Sequence, residues 1–369
     1  MKIVIVAVAI YPRISPRSFR ATELAKEFAV KGHDVTLMAC TGKYNYKEFE
    51  AKYNVKVKDI GTPAFLTKNS DGKINLPLWK KAIIYTLNRF LEFPDILLLN
   101  KVRKKIVNEG DIDLLITVAL PFPIHWGAAV IKKRNFKTWV SDCGDPYMGN
   151  SIKKPFFYFK YVEKFWCRKT DFITVPITQA KNSFYKEFRD KIKVIPQGFN
   201  FDKLKLFKYT QNKIPTFIYA GLFYKNNRDP FNFLTYLSNL QLEFKFIIYT
   251  PNKRLLLPFI DKLGDKLVIE NSIPRDELIA QMSKADFLIN FTNLNISNQL
   301  PSKLIDYSLA NRPILELTSN FEENEKHNFE NFLVNNFENQ KKIKNLKQYN
   351  IKIVAKKFLS IYKNKNEGI

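Results

Sequence analysis

Lys303 and Asp306 stand three residues apart in Pro301-Ser302-Lys303-Leu304-Ile305-Asp306, and their types and spacing match what a nucleotide requires of a protein. Pro301 suits the first turn of a helix, Ser297 or Asn298 can cap it, and Asn311 and Pro313 mark its exit. The free N–H groups and positive dipole end of such a helix start attract phosphate, and Lys303 adds a full charge in the same turn. Asp306 falls on the same side, where a carboxylate accepts hydrogen bonds from both hydroxyls of a ribose. The same residues also fit an ordinary exposed ion pair above a core face of Leu304, Ile305, Leu309 and Ala310, so the rest of the chain has to decide.

Other residues with chemical capacity cluster at the ends of apolar runs. His125 closes the loop Pro121-Phe122-Pro123-Ile124-His125 after the strand Asp113–Val118, and strand carboxyl ends are where open α/β sheets bind ligands. It either lines a cleft there or caps a helix locally. Asp142 and Asp145 lie at the rim of the next strand, 138–142, too far apart for a metal-binding Asp-x-Asp pair. One of them is expected to orient a substrate hydroxyl or sugar, with Asp142 favoured. Arg17 and Arg20, at the start of the first helix, either meet a phosphate or are solvated; His33 is read as structural.

These residues need a frame, and the pattern supplies one. Lys2–Ile10 is a buried strand, Phe19–Lys31 a helix ending at Gly32, and Asp34–Ala39 a second strand, without a G-x-G-x-x-G fingerprint. That absence argues against a dinucleotide dehydrogenase. A helix is expected over 76–90, strands over 171–175 and 193–195, and Lys153–Lys169 interleaves aromatic residues with five lysines and an arginine, as a membrane interface would require. Strand and helix alternation restarts at Thr216 and continues through Phe287–Phe291, and 351–362 is a last amphipathic helix. The expectation is two α/β domains with parallel sheets, over 1–205 and 206–345, with 346–369 forming a C-terminal helix.

Composition narrows the function classes. A chain of 369 residues with 46% hydrophobic content can bury two cores. Three scattered cysteines and three histidines give neither a disulfide framework nor a zinc cluster, and no metal is expected. The opening apolar run is too short for a membrane span, so a cytoplasmic protein is expected, at the inner face of the cytoplasmic membrane. Net charge is +25 and uneven: residues 1–205 hold 37 Lys and Arg against 19 Asp and Glu, a net +18. The first half therefore faces something acidic: anionic lipid, a phosphorylated acceptor or nucleic acid; no nucleic-acid motif is present and no nucleic-acid partner is expected.

Taken in order, several segments resemble the GT-B-fold glycosyltransferases, in particular retaining enzymes like those of family 4. They are Gly32-His33-Asp34-Val35, 142–147, Ile195-Pro196-Gln197-Gly198-Phe199, Tyr219-Ala220-Gly221, Ala285-Asp286, and Pro301-Ser302-Lys303 through Asp306-Tyr307 to Pro313. The likeness covers nearly the whole chain. It implies two Rossmann-like domains facing across a cleft, with the C-terminal helix returning to the first, and a UDP- or GDP-sugar donor held mainly by the second domain. Asp306 matches the acid on the donor ribose, and Arg228 the basic residue on the diphosphate, with Lys303 and Lys225 beside it; Gly221, Ser302, Pro301 and Asn298 line the donor site, and Ser272 and Ile273 the base. A cation is chemically required, because the leaving diphosphate gains charge in the transition state. Arg228, Lys303, Asp142 and His125 are thus the candidate catalytic set, and Arg17, Arg20 and Asp145 the acceptor set. The resemblance implies metal-independent, retaining transfer to a glycan or lipid-linked acceptor in surface polysaccharide or glycoconjugate synthesis, with the leaving phosphate taking the acceptor proton and the protein in peripheral contact with an anionic membrane. Two departures stand out: the family's pair of glutamates, seven residues apart, is represented by Asn298 and Asp306, and Ser15, Pro16 and Arg17 replace a glycine pair. The alternatives are a non-catalytic basic membrane- or nucleic-acid-binding protein on that scaffold, and a sugar-nucleotide epimerase of the same fold.

Overall fold

The computed structural model describes residues 1–13, 15–63, 78–150, 154–202, 204–292 and 302–367. They form two compact units, one of residues 1–199 with 348–369 and the other of residues 200–347. In the first, strands β1 (Lys2–Val6), β2 (Asp34–Ala39), β3 (Lys56–Asp59), β4 (Ile112–Ala119), β5 (Phe136–Cys143), β6 (Phe172–Val175) and β7 (Ile192–Val194) build one parallel sheet in the order β3-β2-β1-β4-β5-β6-β7. Helices α1 (Pro16–Val30), α2 (Lys47–Tyr53), α3 (Leu78–Leu91), α4 (Leu98–Val107), α5 (Pro123–Ala129) and α6 (Phe159–Lys169) connect them.

The second unit holds β8 (Thr216–Ala220), α7 (Phe231–Asn239), β9 (Lys245–Tyr249), α8 (Ile260–Leu263), β10 (Leu267–Glu270), α9 (Arg275–Met282), β11 (Phe287–Phe291), α10 (Ser302–Leu309), β12 (Ile314–Leu317) and α11 (Glu323–Leu333). Its strands are also parallel, in the order β10-β9-β8-β11-β12. The chain then returns to the first unit with α12 (Ile351–Asn366), capped by the Asn350 side chain.

The sequence explains the layering. β1, β4 and β5 are almost wholly buried because helices cover both faces of a parallel sheet. Ala21, Leu24 and Phe28 of α1 meet Val354, Ala355 and Phe358 of α12 on one face, while Leu98, Val102, Ile124 and Trp166 fill the other. The second core is built from phenylalanine: Phe217 stacks on Phe287 at 5.0 Å, and Phe233, Phe246 and Phe329 close around them. Strand order reverses between β1 and β4 in one sheet and between β8 and β11 in the other. At such switch points the loops part and leave a crevice at the strand carboxyl ends.

The structure moves some boundaries. The first helix begins at Pro16, ahead of the expected start at Phe19, because Pro fits its first turn and the Ser15 hydroxyl accepts from the Ser18 amide at 3.1 Å. Of the run of aromatic and basic residues, only the part from Phe159 is helix. The polar stretch after Phe321 hides α11, whose capping box between Glu322 and Glu325 supplies the start signal.

Glu163, on α6, is completely buried, and among the described residues neither carboxylate oxygen has a hydrogen-bond partner of good geometry. Burial pushes its carboxyl from 4.5 up to about 7, against a lowering pull from the Met148 backbone. Between those pH values the folded chain keeps a proton that the unfolded chain releases, so stability falls as pH rises through the window. The loss is about 3 kcal/mol. Urea denaturation at about pH 5 and about pH 7.5 should show it, and Glu163→Gln should flatten the dependence; an unchanged slope in the variant would assign it to other groups.

Candidate functional site

Four groups converge at the switch point of the second sheet. Gly221 follows β8 with φ +142°, a conformation side chains resist, and so lets the chain turn sharply at the strand's carboxyl end. Tyr307, buried on α10, pins that end: its hydroxyl accepts from the Ala220 amide at 2.8 Å and donates to the Ala220 carbonyl at 3.3 Å. Tyr219 donates to the Leu222 carbonyl at 2.9 Å, and the Arg228 guanidinium donates to the same carbonyl at 3.3 Å. Arg228 is aimed by a short hairpin in which Tyr224 and Arg228 exchange backbone bonds of 3.1 and 2.9 Å, with Asn226 in left-handed conformation at the turn.

Lys303 reaches this place from the other side of the switch point. Its Nζ donates to the Phe291 carbonyl, the last residue of β11, at 3.2 Å and lies 5.0 Å from the centre of the Tyr219 ring. Burial pushes its ammonium well below the usual lysine range, and the neighbouring Arg228 charge pushes it further, only partly opposed by Glu316. Two cations held close enough to repel one another at strand ends form a site that gains stability from an anion.

Asp306 lies on α10 one turn beyond Lys303, where the sequence placed it, but it has a partner the sequence did not supply. Arg275 donates to Asp306 Oδ1 from Nε at 2.9 Å and from a terminal nitrogen at 2.5 Å, so both bonds end on one oxygen. Burial raises the Asp306 carboxyl, and Arg275 only partly offsets it. The ordinary exposed pair of Lys303 with Asp306 is not what forms: Lys303 donates to the Phe291 carbonyl and Asp306 pairs with Arg275. A signal for Arg275 was present, since a cation in the first turn of α9 opposes the helix dipole and needs a compensating acid.

The remaining donor-side candidates scatter. Ser302 opens α10, while Asn298 and Pro301 lie outside the described residues, as does Ser297. Ser272 is exposed and Ile273 half-buried, just before α9. Lys225 is exposed and lines a separate open concavity of about 980 Å³ with Tyr224, Asn226, Asn252 and Arg254, which neither Arg228 nor Lys303 lines.

In the first unit the predicted residues come together in a different way. Arg20 is buried and forms a two-pronged pair with Asp142, at 3.1 and 2.7 Å, and also donates to the Ile195 and Pro196 carbonyls. Thr174 donates to Asp142 at 2.6 Å. Burial pushes the Asp142 carboxyl up, yet Arg20 and Thr174 outweigh it and hold it below the usual carboxylate range. Arg20 is therefore neither a phosphate ligand nor a solvated helix start, and Asp142 does not face a substrate: each saturates the other inside the core. His125 is corrected too. It lies inside α5, fully buried, with Nδ1 2.8 Å from the Thr117 hydroxyl and Nε2 3.4 Å from the Cys143 sulfur. Burial lowers it to about 3, so it stays neutral and serves packing rather than proton transfer. Arg17 and Asp145 remain at the rim, paired at 2.7 Å and both half-buried; the guanidinium lies against Gly144, where any side chain would displace it.

No family model matches the sequence, and no curated protein matches it. Solved structures do. A glycosyltransferase from Rickettsia africae is 14% identical with a TM-score of 0.61, over 100% of this chain and 99% of that one. The lipopolysaccharide outer core galactosyltransferase WaaB is 10% identical with a TM-score of 0.62 over the same shares. HepE of Anabaena, solved with UDP and glucose, is 10% identical with a TM-score of 0.59, and a putative UDP-N-acetylglucosamine 2-epimerase from Listeria monocytogenes is 12% identical with a TM-score of 0.58 over 97% of its length. At these identities the likeness is one of architecture, and with two parallel-sheet α/β units matched over the full chain, the protein has the GT-B fold.

Proposed function

We propose that the protein is a glycosyltransferase that moves a sugar from a UDP- or GDP-sugar to a glycan or lipid-linked acceptor, with retention and without a metal. The observation that carries this is the Arg228 and Lys303 cation pair at the switch point of the second sheet, with Asp306 one helical turn on. The cations take the diphosphate, and Asp306, oriented through Oδ1 by Arg275, takes the ribose hydroxyls. As the acceptor oxygen bonds to the sugar carbon, the bond from that carbon to the diphosphate breaks on the same face, and the acceptor proton passes to the departing phosphate. Arg228 and Lys303 offset the charge that develops there. Arg17 and Asp145, at the rim of the first unit, are the acceptor-side groups in this scheme.

Calorimetric titration with UDP, GDP, CMP and ADP in EDTA tests it. One nucleotide should bind, and Arg228→Ala and Asp306→Ala should both weaken it; binding by none would overturn the donor site. The free lysine's depressed ammonium adds a second expected outcome. A bound diphosphate raises Lys303 again, so above the pH where the free lysine loses its proton, binding takes one up and weakens as pH rises. Titration in buffers of different ionisation enthalpy should detect this uptake, and Lys303→Met should abolish it.

The epimerase among the similar structures favours one other possibility, isomerisation of the nucleotide sugar itself. Product analysis separates the two: a transferase yields nucleotide in step with glycosylated acceptor, whereas an epimerase alters the sugar without any acceptor.

A further inference from the structure

The helix α3 carries apolar residues that the described structure leaves uncovered. Trp79 is 61% exposed, and Ile83 and Tyr85 are also exposed. The segment leading into α6 repeats this, with Phe157 67% and Tyr161 64% exposed. The two segments are one surface: Phe90 packs on Phe156 at 4.8 Å, Arg89 donates to the Lys154 carbonyl at 2.7 Å, and the Tyr158 hydroxyl donates to the Phe90 carbonyl. Core packing therefore accounts for Phe159 and Trp166 but not for these side chains.

Within these two segments the exposed charges have one sign, and the neighbouring Glu187 pairs with Lys164 farther along α6. Residues 78–91 contain no acid, and in 154–169 the single acid, Glu163, is buried away from it. Lys80, Arg89 and Lys154 are exposed among the aromatic rings; Lys80 lies 5.2 Å from the Trp79 ring centre and Lys160 4.9 Å from that of Tyr161. Amphipathic rings seek the headgroup level of a bilayer, and cations beside them are drawn to anionic headgroups. A nucleic acid would satisfy the cations, but it gives Ile83 and Leu91 nothing to enter. We propose that α3 and the start of α6 together form the surface on which this protein docks to an anionic lipid bilayer.

Docking requires no nucleotide, so its test is independent of the donor site. The full chain is floated with phosphatidylcholine vesicles, alone or with about one part in three phosphatidylglycerol, in about 0.15 M salt. Trp79 is the exposed one of four tryptophans, so its emission should shift to the blue on binding. Expected are binding to the anionic vesicles only, a drop of about tenfold for Trp79→Ser with Phe157→Ser, and a drop of about tenfold or more for Lys80→Glu with Lys154→Glu. Lys132→Glu with Lys133→Glu, exposed and outside both segments, is the matched control. Equal losses in the control would mean that overall charge, not this surface, drives adsorption, and would overturn the proposal. So would no vesicle binding by folded protein, or binding to single-stranded RNA that the charge variants alone abolish.

Discussion

Replacing Arg228 with alanine is expected to lower kcat/KM by about a thousandfold, with most of the loss in kcat and no loss of fold. The side chain reaches the end of β8 from an exposed hairpin, where it donates to the Leu222 carbonyl at 3.3 Å, lies 5.5 Å from the centre of the Tyr224 ring and also meets the Tyr219 hydroxyl. Arg228 lies outside the apolar core of this unit, so removing its side chain costs the fold little. The charge is what the reaction uses: it meets a diphosphate that becomes more negative as the sugar departs. Lys303 supplies only part of that charge, because burial weakens its hold on a proton. Without the repulsion from Arg228, Lys303 should keep its proton more firmly, so the variant should also show less proton uptake on nucleotide binding. Arg228→Lys should restore part of the rate, limited by a point charge in place of a two-pronged donor. Steady-state kinetics with the nucleotide sugar found by titration would check this, and unchanged turnover in Arg228→Ala would remove the residue from the diphosphate site.

Local chemistry carried a large part of the fold. Apolar runs such as 113–118 and 287–291 are buried on both sides, and that composition announces a parallel sheet before any pairing is known. Lys303 and Asp306 were legible for the same reason, because a helix fixes which side residues three apart share. What spacing cannot supply is the partner brought by the fold. Asp306 meets Arg275 and Arg20 meets Asp142 across 31 and 122 residues of chain. His125 shows the same limit in another form: a histidine after a proline-rich run reads as a loop ligand, yet Pro123 begins a helix that turns the ring inward onto Trp166 at 4.9 Å. The aromatic residues of α3 show a further limit, since helical spacing marks an apolar face without saying what covers it.

The Arg20 and Asp142 pair should give the largest stability effect in the chain. Arg20→Ala leaves the Asp142 carboxylate buried with, among the described residues, Thr174 as its one side-chain donor, and strips the Ile195 and Pro196 carbonyls of a donor as well. Leaving one charge of a buried pair unpaired costs about 3–5 kcal/mol, and a loss of that size should lower Tm by roughly 10 °C. The double replacement Arg20→Leu with Asp142→Leu should recover much of that loss, because an apolar pair avoids the stranded charge. The pH dependence carries a sign that separates this from a packing defect. In the native chain Asp142 is held below the usual range, so its contribution is present above the unfolded carboxyl's pKa and is lost as pH falls through the folded value. Without Arg20, burial dominates and the carboxyl rises; protonation then relieves the variant, and its deficit should shrink as the solution is made acidic. Calorimetric melting of native chain, single variants and double variant across pH would show both effects. A ligand role for Arg20 predicts the reverse pattern, with an unchanged melt and a raised KM for the acceptor, and it would require a guanidinium turned outward from the carboxylate and carbonyls that now enclose it.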